Sequence, residues 1–280
     1  MTDRYAVFGN PIAQSKSPLI HGLFAEQFQL DMSYQAQHVD VDGFAKAANA
    51  FFQAEGSKGL NITSPFKQDA YAFSACQTER ARRAGAVNTL ALQEDGSVLG
   101  DTTDGVGLVL DLMVNLQWQL AGKSILLLGA GGAVSGVLEA LLAQNPAKLV
   151  IANRTKSKAV ALAEAFADLG ATQAESFEDL GSESFDIIIN GTSAGLSGDE
   201  FHMPDGIVSK TSQCYDMTYG IAPTAFQRWA KQRCEQVVDG VGMLVGQAAA
   251  SFEIWTGQQP DTAPVIQVLR KNIAASLETL

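Results

Sequence analysis

The apolar positions of the chain change rhythm once, near residue 105. Before it, short apolar runs of different periods are interleaved. YAVFG (5–9) reads as a strand, and SKSPLIHGLFAEQF (15–28) as a helix with Ser17 as N-cap and Pro18 at the first helical position. MSYQAQHVD (32–40) predicts a strand and GFAKAANAFFQ (43–53) a helix. GLNIT (59–63) is a short strand that runs into SPFK. There Ser64 is the expected N-cap, Pro65 the first helical residue and Lys67 the third. AVNTLAL (86–92) and VLGDTT (98–103) pair as a hairpin around a turn at 94–97.

From residue 105 the pattern becomes regular. After a helix over 105–116, strands at 124–131, 149–154, 171–177, 186–192 and 212–218 alternate with helices at 133–144, 156–170 and 224–233. Short apolar strands between helices imply βαβ units and a parallel sheet. Two more helices, 241–255 and 264–277, follow the alternating region and are expected to return to the first. The fold class predicted is α/β in two domains. Residues 1–104, completed by 239–280, form one, and 105–238 form the other.

The segment SILLLGAGGAVSGVLEALL joins a strand to a helix through a glycine loop. Gly129 and Gly131 supply G-x-G, with Val134 where the usual third glycine stands. Such a loop offers backbone N–H groups and a helix N-terminus to a pyrophosphate. An NAD site would place Asp or Glu at the end of the next strand to hold the ribose hydroxyls. Here that place holds Asn153, Arg154 and Thr155, followed by Lys156 and Lys158. No carboxylate repels a 2′-phosphate, and Arg154 can form a planar fork onto one, so NADP(H) is favoured over NAD(H).

The totals narrow the class. A 280-residue chain with a formal charge of −11 and no basic run is a poor partner for nucleic acid. No apolar run is long enough to span a bilayer, and the N-terminal stretch lacks the pattern of a signal peptide. Three widely spaced cysteines, Cys76, Cys214 and Cys234, form neither a disulfide framework nor a metal site, so a reducing cytoplasm and no metal are expected.

Nicotinamide chemistry on an alcohol or ketone needs a group that gives or takes a proton. The three histidines, His21, His38 and His202, read as structural. Lys67 is the better candidate: it opens a helix, where the positive end of the backbone dipole disfavours a cation, and a locally unfavourable residue suits a functional site. Its acidic partner is Asp104, which precedes a helix and can also serve as an N-cap, with Asp101 as a rival. Ser15 and Ser17 flank Lys16 at another helix start, where two hydroxyls can hold a carboxylate or Ser17 can simply cap.

Together FGNPIAQSKSP, GLNITSPFK, GAVNTL, GDTTDG, GAGGA, NRT, NGTSAG, YDMTY and DGVGMLVGQAAASFEIWTG resemble, in order and spacing, the shikimate dehydrogenase family over nearly the whole chain. The resemblance implies an N-terminal α/β substrate domain with a mixed sheet, a Rossmann-like doubly wound NADP domain, and a helical C-terminal return. The reaction it implies is the reversible NADPH-dependent reduction of 3-dehydroshikimate to shikimate, in aromatic amino-acid biosynthesis, in a monomer or homodimer. By resemblance Ser15 and Ser17 bind the substrate carboxylate, and Asn61, Thr63, Asn88, Asp104, Tyr219 and Gln247 hold the ring hydroxyls. Lys67 is the general acid/base with Asp104 paired to it. Gly129, Ala130, Gly131, Gly132 and Ala133, with Asn153, Arg154, Thr155, Lys158, Met217 and Gly240, bind NADP(H).

Ser64, Thr102 and Ser135 depart from the family's usual aliphatic residue, Asn and Arg. The loss of that Arg is expected either to weaken cofactor phosphate contacts or to shift them onto Arg154 and Lys158. Rival readings are a quinate/shikimate dehydrogenase with relaxed cofactor use, a non-catalytic NADP(H)-sensing module, and a methylenetetrahydrofolate dehydrogenase. The last would want aromatic side chains where these motifs offer small polar ones.

Overall fold

A computed structural model describes residues 2–192 and 201–277. In chain order the first elements are β1 (Asp3–Gly9), α1 (Ser17–Phe28), β2 (Met32–His38), α2 (Phe44–Gln53), β3 (Ser57–Ile62), α3 (Lys67–Phe73), β4 (Cys76–Gln77), α4 (Glu79–Ala84), β5 (Thr89–Leu92) and β6 (Val98–Asp101). Helix α5 (Asp104–Leu110) continues as a π-helical turn over Asp111–Asn115. Then come β7 (Ser124–Leu128), α6 (Gly132–Leu142), β8 (Lys148–Ala152), α7 (Lys156–Ala165), β9 (Thr172–Glu175) and β10 (Ile187–Asn190). The last are β11 (Gln213–Asp216), α8 (Ala225–Lys231), β12 (Gln236–Val238), α9 (Val241–Thr256) and α10 (Thr262–Leu277). Strands β4 and β12 and helix α4 are not legible in the sequence; two, three and six residues are too short to show a period.

The chain divides into two compact units, Met1–Gly107 with Leu244–Val265, and Leu108–Met243 with Ile266–Leu280. Both terminal helices are expected from the sequence to join the first region; residues from Ile266 onward instead group with the second unit.

The first unit holds a mixed sheet of order β2-β1-β3-β5-β6-β4. Strand β1 runs parallel to β2 and β3, and the β5–β6 hairpin is antiparallel to β3 through β5. One face is covered by an aromatic cluster of Phe8, Phe44, Phe51 and Phe66 around Leu60 and Leu90. In the second unit all strands are parallel, in the order β12-β11-β10-β7-β8-β9. This is the doubly wound dinucleotide-binding order, with its switch point between β7 and β10. Alternate residues of β7 enter opposite cores: Ile125 and Leu127 on one face, Leu126 and Leu128 on the other. Burial on both faces is why these strands read as unbroken apolar runs. Cys214 and Cys234, far apart in sequence, are free thiols in one of these cores, with their sulfurs 3.5 Å apart.

Two helix starts differ from expectation. Helix α1 begins at Ser17 itself, with Lys16 as N-cap and no capping side chain. Ser15 takes the accepting role, its Oγ receiving the Ser17 N–H at 3.3 Å. Helix α3 begins at Lys67, with Phe66 as N-cap. Ser64 and Pro65 are joined by a cis peptide and form the turn before it, closed by the Phe66 N–H to Thr63 O bond at 3.1 Å. The Ser-Pro pair satisfies the local rule for a cap, but here it belongs to the turn.

Candidate functional site

In the first unit, topology brings four strand ends together. Strands β1 and β3 are parallel, so Gly9 and Ile62 end on the same side. Strand β5 is antiparallel to β3, which places its first residue, Thr89, opposite Asn61; β6 reverses again and places Asp101 opposite Thr89. The segments that continue from these ends carry Ser15, Ser17, Thr63, Lys67, Asn88 and Asp104. One end of one sheet therefore collects these six polar residues.

Lys67 is the first residue of α3, and its carbonyl accepts the Val87 N–H at 2.9 Å, which ties the helix start to the segment leading into β5. Its Nζ donates to Asp104 Oδ2 at 2.5 Å. The other carboxylate oxygen, Oδ1, accepts from Asn88 Nδ2 at 2.9 Å. Asn88 is in turn fixed on its other side: its Oδ1 accepts the Thr103 N–H at 2.9 Å and the Thr89 hydroxyl at 2.8 Å. The lysine is about a quarter exposed and the carboxylate one-tenth, so the pair sits at a surface with its back to a polar interior.

Asp101 is no rival. It is buried and accepts both Arg80 Nε and Nη2 at 2.7 Å, the Thr78 hydroxyl at 2.6 Å and the Thr102 N–H at 2.7 Å. Its oxygens are committed to joining α4 to the end of β6.

Behind the pair lies a buried polar lattice that sequence reasoning largely missed. Asn61 donates to Ser251 Oγ at 2.9 Å and Asn88 O at 3.2 Å, and accepts from Tyr34 OH at 2.7 Å and His21 Nε2 at 3.1 Å. Asn61 is thus engaged on both ends of its amide. Ser251 also meets the Thr89 hydroxyl at 2.7 Å and donates to Gln247 O at 3.0 Å, one turn back on α9. Gln247 itself donates to Leu244 O at 2.9 Å. His21 is wholly buried and stacks on Tyr34 at 4.2 Å. Burial lowers its pKa to about 3, against the opposing bond to Asn61, so the ring is neutral. Donation from Nε2 leaves Nδ1 buried without a partner among the described residues. The signal for this lattice was faint: single polar residues, His21 and Ser251, inside otherwise apolar helix faces.

The second unit gathers the other candidates at the C-terminal ends of its parallel strands. After β7 the chain turns through Gly129 at φ +108, a left-handed value, where a β-carbon would lie 3.2 Å from Thr192 Cγ2. Gly131 and Gly132 face open space, and α6 starts at Gly132. The third glycine of the usual fingerprint permits close helix–strand packing. Here Val134 is buried instead, and Gly191, beyond β10, makes the room: a β-carbon there would lie 2.5 Å from Val134 Cγ2 and 3.1 Å from Met217 Sδ.

At the end of β8, Asn153 Nδ2 donates to Thr155 O at 2.9 Å, shaping the turn that presents Arg154. Lys156 is held by Glu175 at 2.8 Å and Asp179 at 3.2 Å, and the bond to Glu175 chiefly raises its pKa. It neutralises carboxylates that would otherwise oppose a phosphate, while Arg154 and Lys158 stand exposed. Met217 and Gly240 adjoin, with Gly240 N donating to Thr218 O at 3.1 Å. Tyr219 lies on the same turn, and burial raises its pKa. An open glycine loop at the switch point, with an exposed guanidinium one strand away, fits the diphosphate and 2′-phosphate of NADP(H). Among the described residues there is no cluster of His, Cys, Asp or Glu that could hold a metal. No described helix is long and apolar enough to cross a membrane.

Known proteins match nearly the whole chain. A family model described as the shikimate dehydrogenase substrate binding domain matches residues 7–90, and one for shikimate / quinate 5-dehydrogenase matches 112–198. A third, for the shikimate 5′-dehydrogenase C-terminal domain, matches 240–270. Shikimate dehydrogenase (NADP(+)) of Cellvibrio japonicus is 54% identical over 98% of this chain and 99% of its own.

The chain belongs to the shikimate dehydrogenase family.

Solved structures agree. An Ael1 enzyme from Pseudomonas putida is 42% identical with a TM-score of 0.90, covering 96% of this chain and 98% of that one. Shikimate 5-dehydrogenase from Thermus thermophilus, solved in complex with NADP(H) and shikimate, is 30% identical with a TM-score of 0.84, covering 96% and 99%. The substrate-binding match of the shikimate dehydrogenase family falls on the unit with Lys67 and Asp104, and the mixed and all-parallel sheets are the fold expected of it. Of the family stretches in the sequence, Ser193, Ala194 and Gly195 of NGTSAG lie outside the described residues.

Proposed function

We propose that this protein catalyses the reversible reduction of 3-dehydroshikimate to shikimate with NADPH. The observation that carries the reading is Lys67 Nζ at 2.5 Å from Asp104, itself held by Asn88, at the sheet end that also bears Ser15, Ser17 and Thr63. A lysine fixed in this way can donate a proton to the alkoxide that forms when a ketone accepts hydride. NADPH, when bound, supplies the hydride.

The chain's own residues do the rest. Ser15 and Ser17, at the start of α1, offer hydroxyls to the substrate carboxylate. Thr63, Asn88, Asp104, Gln247 and Tyr219 are assigned to the ring hydroxyls. Asn61, closed in by Ser251, Tyr34 and His21, acts from behind by holding Asn88 and Thr89. A site that hydrogen-bonds each hydroxyl discriminates strongly against analogues that lack one. Arg154 and Lys158 hold the 2′-phosphate, and the N–H groups of Gly129–Ala133 hold the diphosphate. The setting proposed is the cytoplasm.

The test is steady-state turnover of 3-dehydroshikimate and of quinate, each with both cofactors. Fast turnover with NADPH and 3-dehydroshikimate is expected. Equal rates with NADH, or quinate oxidised as fast as shikimate, would point instead to a quinate/shikimate enzyme. Cofactor binding with no turnover would point to a sensing module.

A further inference from the structure

The C-terminal ends of β10 and β11 carry a buried carboxylate to which the reaction gives no role. Asp216, the last residue of β11, is fully buried. Its Oδ1 accepts from Asn190 Nδ2 at 3.1 Å and from the Thr218 N–H at 3.0 Å. Its Oδ2 accepts from the Thr224 hydroxyl at 2.5 Å and from Gln227 Nε2 at 3.4 Å. None of the four donors is a cation. Burial raises the carboxyl's pKa, and the bonds from Thr224, Thr218, Asn190 and Gln227 oppose that rise. A buried carboxylate with no cation is unfavourable unless convergent donors hold it.

The location of this arrangement gives it a use. Thr218 and Thr224 bracket a turn, and Asp216 grips it from both ends. Tyr219 lies on that turn and Met217 leads into it, and Met217 is packed against Gly191 and Gly240. On the other side, Asn190 Oδ1 accepts the Thr192 hydroxyl at 2.7 Å and the Thr192 N–H at 3.2 Å. The Thr192 methyl in turn fills the space beside Gly129. A continuous set of contacts therefore runs from the glycine loop through Thr192 and Asn190 to Asp216 and the Met217–Tyr219 turn.

We propose that Asp216 is a positioning residue for the cofactor: its carboxylate fixes the Met217–Tyr219 turn relative to the glycine loop, so that both meet one NADP(H) molecule. The proposal rests on the shikimate dehydrogenase reading. An amide at this position keeps one acceptor but turns an NH2 group toward a cage built entirely of donors, and so releases one end of the turn.

The test compares Asp216→Asn, Thr224→Val and Thr224→Ser with the wild-type protein. NADP+ affinity is read by equilibrium dialysis, KM for each substrate by steady-state rates, and Tm by calorimetry. Asp216→Asn should weaken NADP+ binding by about tenfold, the scale of one lost charge-assisted hydrogen bond, and should raise KM more than it lowers kcat. Thr224→Val should move Kd in the same direction by less, and Thr224→Ser should restore it. A merely structural role would lower Tm and the active fraction, leaving Kd and KM of the folded molecules unchanged; that result overturns the proposal. If Asp216→Asn does not fold, an unchanged Kd in Thr224→Val overturns it. Absence of turnover in the wild-type protein would defeat the reaction assigned above, while the dialysis would still decide the role of Asp216.

Discussion

Lys67 Nζ and Asp104 Oδ2 are 2.5 Å apart, and the two residues reach each other from the first positions of two different helices. The helix dipole opposes the lysine at that place and favours the aspartate. The carboxylate therefore compensates locally for the misplaced cation, and Asn88 prevents it from turning away. This arrangement holds an ammonium group at the end of a sheet without burying it.

Asp101 separates structure from chemistry in the same segment. Asp101→Asn breaks the two-pronged bond to Arg80 and is expected to lower stability by about 2–3 kcal/mol, reduced from the buried-pair range because Arg80 is about one-third exposed. KM for both substrates should stay at the wild-type value in the folded fraction. Chemical denaturation and steady-state rates check this; a large KM change with unaltered stability would give Asp101 a role in the site.

Arg154 should carry cofactor selectivity. It stands exposed at the end of β8, while Lys156 is engaged by Glu175 and Asp179. Arg154→Ala is expected to raise KM for NADPH by about tenfold or more while leaving that for NADH nearly unchanged, since only the first bears the 2′-phosphate. Parallel titrations with both cofactors measure it, and an equal rise for both would place Arg154 elsewhere.

His21 should make the protein sensitive to acid. Its folded pKa is about 3 against 6.5 in the unfolded chain. Between those values the unfolded state binds a proton that the folded state refuses, so this contribution is intact above pH 6.5 and is lost progressively as pH falls toward 3. The slope for one proton is about 1.4 kcal/mol per pH unit at most. His21→Phe should flatten the dependence of unfolding free energy on pH across that window. Identical slopes in the two proteins would contradict the buried neutral ring.

Much of the fold was legible because parallel strands buried on both faces leave unbroken apolar runs such as Ile187, Ile188 and Ile189, and these do not depend on distant residues. The glycine loop and the Lys67 segment were legible for a similar reason, since each carries its chemistry within a few residues. What stayed hidden depends on long-range pairing. Asn61 reads as a ligand contact, and no local motif reveals that its amide also donates to Ser251, 190 residues away. Asp101 and Asp104 look equivalent in GDTTDG until Arg80 claims one and Lys67 the other. Helix α3 starts later than its sequence suggests because Ser64 and Pro65 have the residue types of a cap but form the preceding turn. Gly191 replaces a missing fingerprint glycine from another strand, a substitution that no local motif reveals.

That Lys67 gives and takes the proton at the substrate is tested most directly by the turnover of Lys67→Ala with NADPH and 3-dehydroshikimate, together with shikimate affinity. A fall in kcat by a factor of about 10² or more, with shikimate binding nearly intact, is the predicted result. A variant that turns over at the wild-type kcat would contradict it.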